Sequence, residues 1–540
     1  MGSRGMVKNS CLQRLLVICY CAVENRQEDV KTRLENPVMI TNSFCRNRSR
    51  GKKAVVAFVI GCAVMQFFLA RSAAGVEKFE PTVESLKQYQ CPEWFRDAKF
   101  GIYLHWGVYS VAERGEWYAR QMYIESSREY KHHLKTYGHP SKFGYKDFIG
   151  MWKAEKFDPD RLVALFKQAG AKYFTPCAVH HDNFDLWNSR HNKWNSVNMG
   201  PKKDITGMWR KAAIKHGLRF GCTTHLARSY SWFQVNKDSD KSGPYAGVPY
   251  DGAEAKYQDF YFPPSEDKNL KHPKNPPEHW RKNWAARMVD LIDNYKLDFL
   301  YFDGCVPFQG DDKGRTGFEV MAHFYNQNMQ RHGGEQQGVL TIKKHKDHGV
   351  YVDGVATLDI ERHRADELLP RPWQTDTSIG PWGYYAGAKY RSVNEIIDEL
   401  VDIVSKNGNM LLNVPPKADG TLDKETEQIL LDIGKWFDVN GEAIYGTRPW
   451  FKYGHDNLRF TRKGDVLYVI ALEWPGGGKT LNVPAAALGE KAPRVGRVKL
   501  LGHKDRLRWR QDKGGLTIVM PETPPCDNAY SLKIAFLPGS

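Results

Sequence analysis

A helix followed by a short β-rich run recurs four times between residues 158 and 414, and this rhythm constrains the fold more than any other feature. Asp158-Pro159 reads as an N-cap with proline at the first helical position. Leu162, Leu165, Phe166 and Ala169 follow at helical spacing, Gly170 stops the helix, and "AKYFTPCAV" follows as a strand. Ile205, Met208, Trp209 and Ala212 form the next apolar face, Gly217 ends it, and "RFGCTTH" follows. Trp284, Met288, Leu291, Ile292 and Tyr295 precede "LDFLYFDG". Ser392 and Glu395 make a capping box ahead of Ile396, Leu400, Val401 and Val404, and Gly408 leads into "NMLLNV".

Such alternation requires parallel strands joined by crossovers. An open doubly wound sheet and a (β/α)8 barrel both satisfy it. No G-x-G-x-x-G or Walker sequence follows an early strand, which weakens the nucleotide-binding sheet. The stretch from Cys91 to Gly446 is long enough for a barrel with insertions. Beyond Gly446, "DVLYVIALEW", "RVKLLG", "LTIVMPE" and "YSLKIAFLP" are strand candidates split by Gly, Pro and Lys turns. The expected architecture is α/β: a (β/α)8-type barrel over residues 76–446, then a C-terminal β-sandwich over 447–540. The Pro-, Gly-, Asp- and Lys-rich stretch from about 234 to 279 is expected to form a long surface loop near the barrel mouth.

Residues 1–75 are expected to stand apart as an N-terminal extension and signal peptide. Arg46, Arg48, Arg50, Lys52 and Lys53 precede an apolar run from Ala54 to Ala70, and small residues follow to Gly75. This is the pattern of a secretory signal, giving a secreted or periplasmic protein. The run is short for a membrane span and contains Gln66, so no stable membrane insertion is expected after cleavage. Residues before about 39 fit neither a signal nor a domain, and Met39 offers an alternative start.

Removing this segment changes the charge argument. It holds twelve Lys/Arg and four Asp/Glu, half of the net charge of +16. The remaining 66 basic and 58 acidic residues leave a modest excess, and no zinc-finger, helix-turn-helix or RNA-binding signature accompanies it. Nucleic acid is therefore not an expected partner, although a mild preference for anionic glycans fits the charge. Cys91, Cys177, Cys222, Cys305 and Cys526 show no close pairing and no C-x-x-C, and they read as free thiols.

In a barrel the chemistry sits at the C-terminal ends of the strands. "FGIYLHWG" ends in His105 and Trp106, and "YFTPCAV" runs into His180, His181 and Asp182. "RFGCTTH" ends at His225, "FLYFDG" at Asp303 and "NMLLNV" at Asn413. "GVATLDIERH" offers Asp359, Glu361 and His363, and "PWQTDTSIGPWGYY" offers Asp376 and Trp382. A single strand-end Asp or His is commonly a satisfied structural group. Seven strand ends carrying such groups are not required by core packing. Adjacent His180 and His181 on a strand would point to opposite faces, and no H-E-x-x-H appears, so neither a metal nor another cofactor is expected. Several carboxylates beside His and Trp suit sugar hydrolysis, in which one carboxylate attacks or guides water and another protonates the leaving oxygen.

These residues fall within a wider resemblance. "AKFGIYLHWGVYSV", "GEWYARQMY", "AKYFTPCAVHHDNFDLWNS", "WRKAAIKHGLRFG", "FLYFDG", "PWQTDTSIGPWGYY" and "NGNMLLNVPPKADGTL" resemble the family 29 glycoside hydrolases, the α-L-fucosidases, in the order found there. The resemblance spans roughly residues 90–450. It implies a barrel followed by a β-sandwich and a retaining exo-α-L-fucosidase acting on fucosylated oligosaccharide or polysaccharide. It assigns the nucleophile to Asp303, and the fucose-binding groups to His105, Glu116, Trp117, His180 and His181. Trp382 is expected to cover an apolar sugar face.

Two departures set this chain aside. Many relatives carry a glutamate before "TSI", where this chain has Trp373-Gln374, and a glutamine donates no acidic proton. The acid/base is therefore sought at Glu361, then at Glu367, with Asp376 third; it should have a pKa raised by burial or a like charge. The stretch "GCTTHLARSY" lacks the tyrosine or serine usual after "FG", so His225 and Arg228 are expected to take over a hydroxyl or acidic-group contact. Other readings use the same residues. An α-L-galactosidase would cleave the aryl galactoside and not the fucoside. A non-catalytic fucose-binding protein would bind without turnover.

Overall fold

The computed structural model describes residues 78–489 and 493–538, and the signal-like segment lies outside them. Eight parallel strands close into a barrel in sequence order: β1 Phe100–Leu104, β2 Tyr173–Val179, β3 Arg219–Thr224, β4 Phe299–Phe302, β5 Val339–Lys343, β6 Thr357–Asp359, β7 Trp373–Ser378 and β8 Gly408–Asn413. Closure places Phe100 of β1 opposite Met410 of β8. The open doubly wound sheet is thereby excluded.

Barrel strands have protein on both sides, which is why they read as continuous apolar runs without alternation. Tyr103, Tyr173, Phe299, Tyr301, Val339 and Leu411 pack together in one cluster, and Phe95 and Ala98 of the helix Glu93–Ala98 join it. Gly101 lets this layer close, because a Cβ there would come within 2.4 Å of the Tyr173 ring. The predicted caps form. Asp158 accepts from the Arg161 amide at the start of Pro159–Gln168, and Ser392 and Glu395 make the capping box of Val393–Ser405.

Three features differ from the sequence reading. The helix Arg315–Arg331 and strand β5 form a unit that the sequence rhythm did not reveal. Among the described residues no helix separates β5 from β6 or β6 from β7, so loops cover that side of the barrel. The 234–279 stretch is no simple surface loop. Phe260, Tyr261 and Phe262 are buried in it, and Asp251 accepts hydrogen bonds from Tyr123 and Tyr261.

The C-terminal strands are β9 Arg448–His455, β10 Leu458–Lys463, β11 Val466–Ala471, β12 Thr480–Pro484, β13 Val495–Leu500, β14 Trp509–Asp512, β15 Gly515–Val519 and β16 Tyr530–Phe536. They form antiparallel sheets of five and three strands, in the orders β13-β16-β11-β10-β9 and β12-β15-β14. Apolar residues of both sheets, including Phe460, Val469, Leu481 and Ile518, share one core. The five cysteines among the described residues are free. No described helix is long and apolar enough to cross a membrane.

Candidate active site

Each strand leaves the barrel with a polar side chain at or just past its C-terminal end, and several of these side chains are held by a neighbouring strand end. His105 follows β1, and its backbone N–H and ring Nδ1 both lie 2.9 Å from Asn413 Oδ1 at the end of β8. The Asn413 amide group donates to the Trp382 carbonyl and Ser378 Oγ, so Oδ1 is the acceptor and His105 carries its proton on Nδ1. Trp106 turns the other way. It donates to the Lys417 carbonyl, packs on Trp152 and Phe157, and does not line the site.

His180 and His181 do not point to opposite faces. Strand β2 ends at Val179, and past that point strict alternation no longer applies, so both rings line the same cavity with centroids 4.3 Å apart. His181 Nδ1 donates to the His225 carbonyl. Asp303 follows β4 directly. Its Oδ2 lies 3.2 Å from His225 Nδ1 and 3.5 Å from His181 Nε2. Glu116 accepts from the Gly383 amide at 2.8 Å, and Trp117 meets His181 edge-on.

The structure brings nine of the sequence-derived candidates together. Asp303, Glu361, His105, Glu116, Trp117, His180, His181, His225 and Trp382 line one cavity of about 150 Å³. Arg228 and Asp376 line it too. Glu367 is exposed and is not among the lining residues. Gln374 is buried below, donating to Asp359 and accepting from Tyr173, so it acts as a structural link.

Lys343, Tyr103, His345 and His348 also line the cavity and were missed from sequence. Lys343 is central. Its Nζ is 2.7 Å from Asp303 Oδ1, 2.7 Å from Glu361 Oε2 and 3.7 Å from Asp376 Oδ2. Tyr103 and Tyr301 donate to that same Asp376 oxygen from below.

These charges set the protonation states. Burial alone would raise the Asp303 carboxyl, but the Lys343 ammonium, His225 and Arg228 outweigh it and hold the group well below the usual carboxylate range. Burial and the Asp376 charge push Asp359 well above that range, so it stays protonated beneath the site. Burial, with His225, lowers His105 to about 3. Burial also holds His180 and His181 well below their ordinary value, leaving neutral rings in which one nitrogen donates and the other accepts. The environment expected for the acid/base is not the one found. The Glu361 side chain is 44% exposed and contacts an ammonium rather than a like charge. Two sets of ligand atoms, His105–His180–His225 and His181–His225–Asp303, each lie within 4.8 Å and could hold a cation.

Asp182 supplies a separate test of the burial argument. Burial raises its carboxyl to about 7, and the Tyr145 hydroxyl donates to it at 2.7 Å. A carboxyl raised on folding stabilises fully below its unfolded pKa and loses that contribution as pH rises through its folded pKa. The melting temperature of the wild type relative to Asp182→Asn should therefore fall between about pH 4 and 7. The whole change should be on the order of a few kcal/mol. A flat difference across that range, followed by thermal melts, would contradict it.

A parallel barrel with paired carboxyls among imidazole and indole rings at its C-terminal end suits a glycoside hydrolase. The comparisons narrow the class. A sequence model described as alpha-L-fucosidase matches residues 67–442, and one described as alpha-L-fucosidase C-terminal domain matches residues 454–535. The plasma alpha-L-fucosidase of Pongo abelii is 31% identical over 482 residues, covering 86% of this chain and 94% of that protein. The tissue alpha-L-fucosidase of Homo sapiens is 29% identical over 479 residues, covering 86% and 93%. The crystal structure of Thermotoga maritima alpha-fucosidase with a mechanism based inhibitor has a TM-score of 0.67 at 30% identity, covering 85% of this chain and 100% of that one. The chain belongs to the α-L-fucosidase family of glycoside hydrolases.

Proposed function

We propose that this protein removes terminal α-L-fucosyl residues from fucosylated oligosaccharides or polysaccharides with retention of configuration, by double displacement. One observation carries this reading. Asp303 and Glu361 both stand 2.7 Å from one ammonium nitrogen, so the two contacting oxygens are separated by at most twice that distance. Retaining pairs lie about 5–5.5 Å apart, whereas inverting pairs leave room for a water between them.

Asp303, held ionised, attacks the anomeric carbon as the bond to the leaving oxygen breaks. Glu361 gives its proton to that oxygen. For this, Lys343 must withdraw from Glu361 as substrate enters, and it stays on Asp303. A water then loses its proton to Glu361 and attacks the fucosyl–enzyme ester, freeing Asp303 and α-L-fucose. His105, His180, His181, His225 and Glu116 bind ring hydroxyls, while Trp117 and Trp382 cover apolar sugar surface. No cofactor takes part. Residues 76–446 form the catalytic domain and 447–540 the sandwich. The signal-like segment supports a secreted or periplasmic site of action.

Proton NMR of an aryl α-L-fucoside under digestion tests the reading. The α anomer of fucose should appear first, and the β anomer only later by mutarotation. Initial release of the β anomer, turnover of the α-L-galactoside alone, or fucose binding without hydrolysis would each overturn it.

A further inference from the structure

Arg228 ends the helical turn Leu226–Arg228 that follows β3, and it lines the active-site cavity while only 7% exposed. Among the described residues no carboxylate forms an ion pair with it. Two other buried arginines are tied down by more contacts: Arg287 pairs with Asp185, and Arg120, although its Nε is also unpartnered, donates to the carbonyls of Trp232 and Lys268. Lys343, the other cation in the cavity, already serves Asp303, Glu361 and Asp376.

Arg228 is held differently. One Nη meets His348 Nδ1 at 3.3 Å, and Nε has no partner. The His348 ring stacks on His345 with centroids 3.7 Å apart beside the guanidinium. Arg228 acts on the Asp303 charge across the cavity but makes no direct ion pair, and a guanidinium presents a planar fork of donors that matches an oxyanion. Lys344 and Lys346, both exposed, flank His345 in the same β5–β6 loop and add positive charge.

We propose that Arg228 is a specificity residue that binds an anionic substituent of the glycan, a sulfate ester or carboxylate, in a charge-assisted bidentate contact. The substituent sits either on the fucosyl ring or on the sugar next to it. This rests on the fucosidase reading above, which identifies the cavity as the place where a glycan is held.

The test compares kcat/KM for matched substrates. One arm pairs an aryl α-L-fucoside with its ring-sulfated forms. The other pairs an α-L-fucosyl disaccharide with forms carrying a sulfate or a uronic acid on the reducing sugar. The arm that shows a preference for the charged form locates the anion. In Arg228→Gln that preference should fall by about 10–100-fold, toward no preference, and Arg228→Lys should keep part of it. A purely structural role would slow charged and plain substrates alike, leave their ratio unchanged, and overturn the proposal. So would the absence of any preference for a charged form in the wild type. If no α-L-fucoside were cleaved, the function reading would fail by itself. Calorimetric binding of the same matched pairs to wild type and Arg228→Gln would still decide the role of Arg228.

Discussion

Asp303→Gly is expected to lower kcat/KM for an aryl α-L-fucoside by about 10⁴–10⁶-fold, the loss seen when a covalent nucleophile is removed from a site that still binds substrate. The reason lies in the environment of the carboxyl. Lys343 and His225 touch its two oxygens, and the whole group is held ionised despite burial. Among the described residues no other carboxylate has that combination of ionisation and position directly after a barrel strand. Azide should partly restore turnover, because it fits the space left by the carboxymethyl group. It would attack the face that Asp303 uses, so the product should be the β-L-fucosyl azide. A variant that folds like wild type and keeps its turnover would remove Asp303 from the mechanism.

The second large effect is expected at Glu361. Glu361→Ala should lower kcat/KM by about 10²–10⁴-fold for a poor leaving group, and much less for an activated one that departs without a proton. Azide should accelerate the variant and give the α-L-fucosyl azide, the opposite anomer to that from Asp303→Gly. The two products thus separate the two roles by stereochemistry rather than by rate alone. Glu367→Ala should stay within about twofold of wild type, since an exposed charge outside the cavity touches no reacting atom. If azide accelerated Glu367→Ala and left Glu361→Ala unchanged, the assignment would pass to Glu367.

The repeating helix-and-strand units were legible because each ends in strong local signals, such as the Asp158-Pro159 start and the Ser392–Glu395 box. Strand β5 was not. Its five residues end in Lys343 and run into Lys344-His345-Lys346, so the apolar run looks too short and too basic to be a barrel strand. Missing β5 hid Lys343, which no motif announces. The Arg315–Arg331 helix, with Phe318, Met321, Ala322 and Tyr325 at helical spacing before Gly333-Gly334, was the available clue. In the sandwich, β9, β12 and β14 lie at sheet edges. Edge strands carry more exposed polar residues, which blurs their alternation. The gathering of His180 with His181 depended on where β2 stops, and strand ends are the least determined part of a sequence reading.

The helix-free side of the barrel gives the enzyme a replaceable wall. The connections β5–β6 and β6–β7 supply Lys344, His345, His348 and Glu361 without burying a helical face against the strands. Their length and composition are therefore freer to change than those of any helix-bearing connection, where an altered residue would disturb core packing. Loops grafted between residues 344 and 356, ahead of β6 and Glu361, offer a route to new leaving-group preferences. Asp303, the proposed nucleophile, with His181 and His225, which follow strands on the helix-covered side, would stay in place.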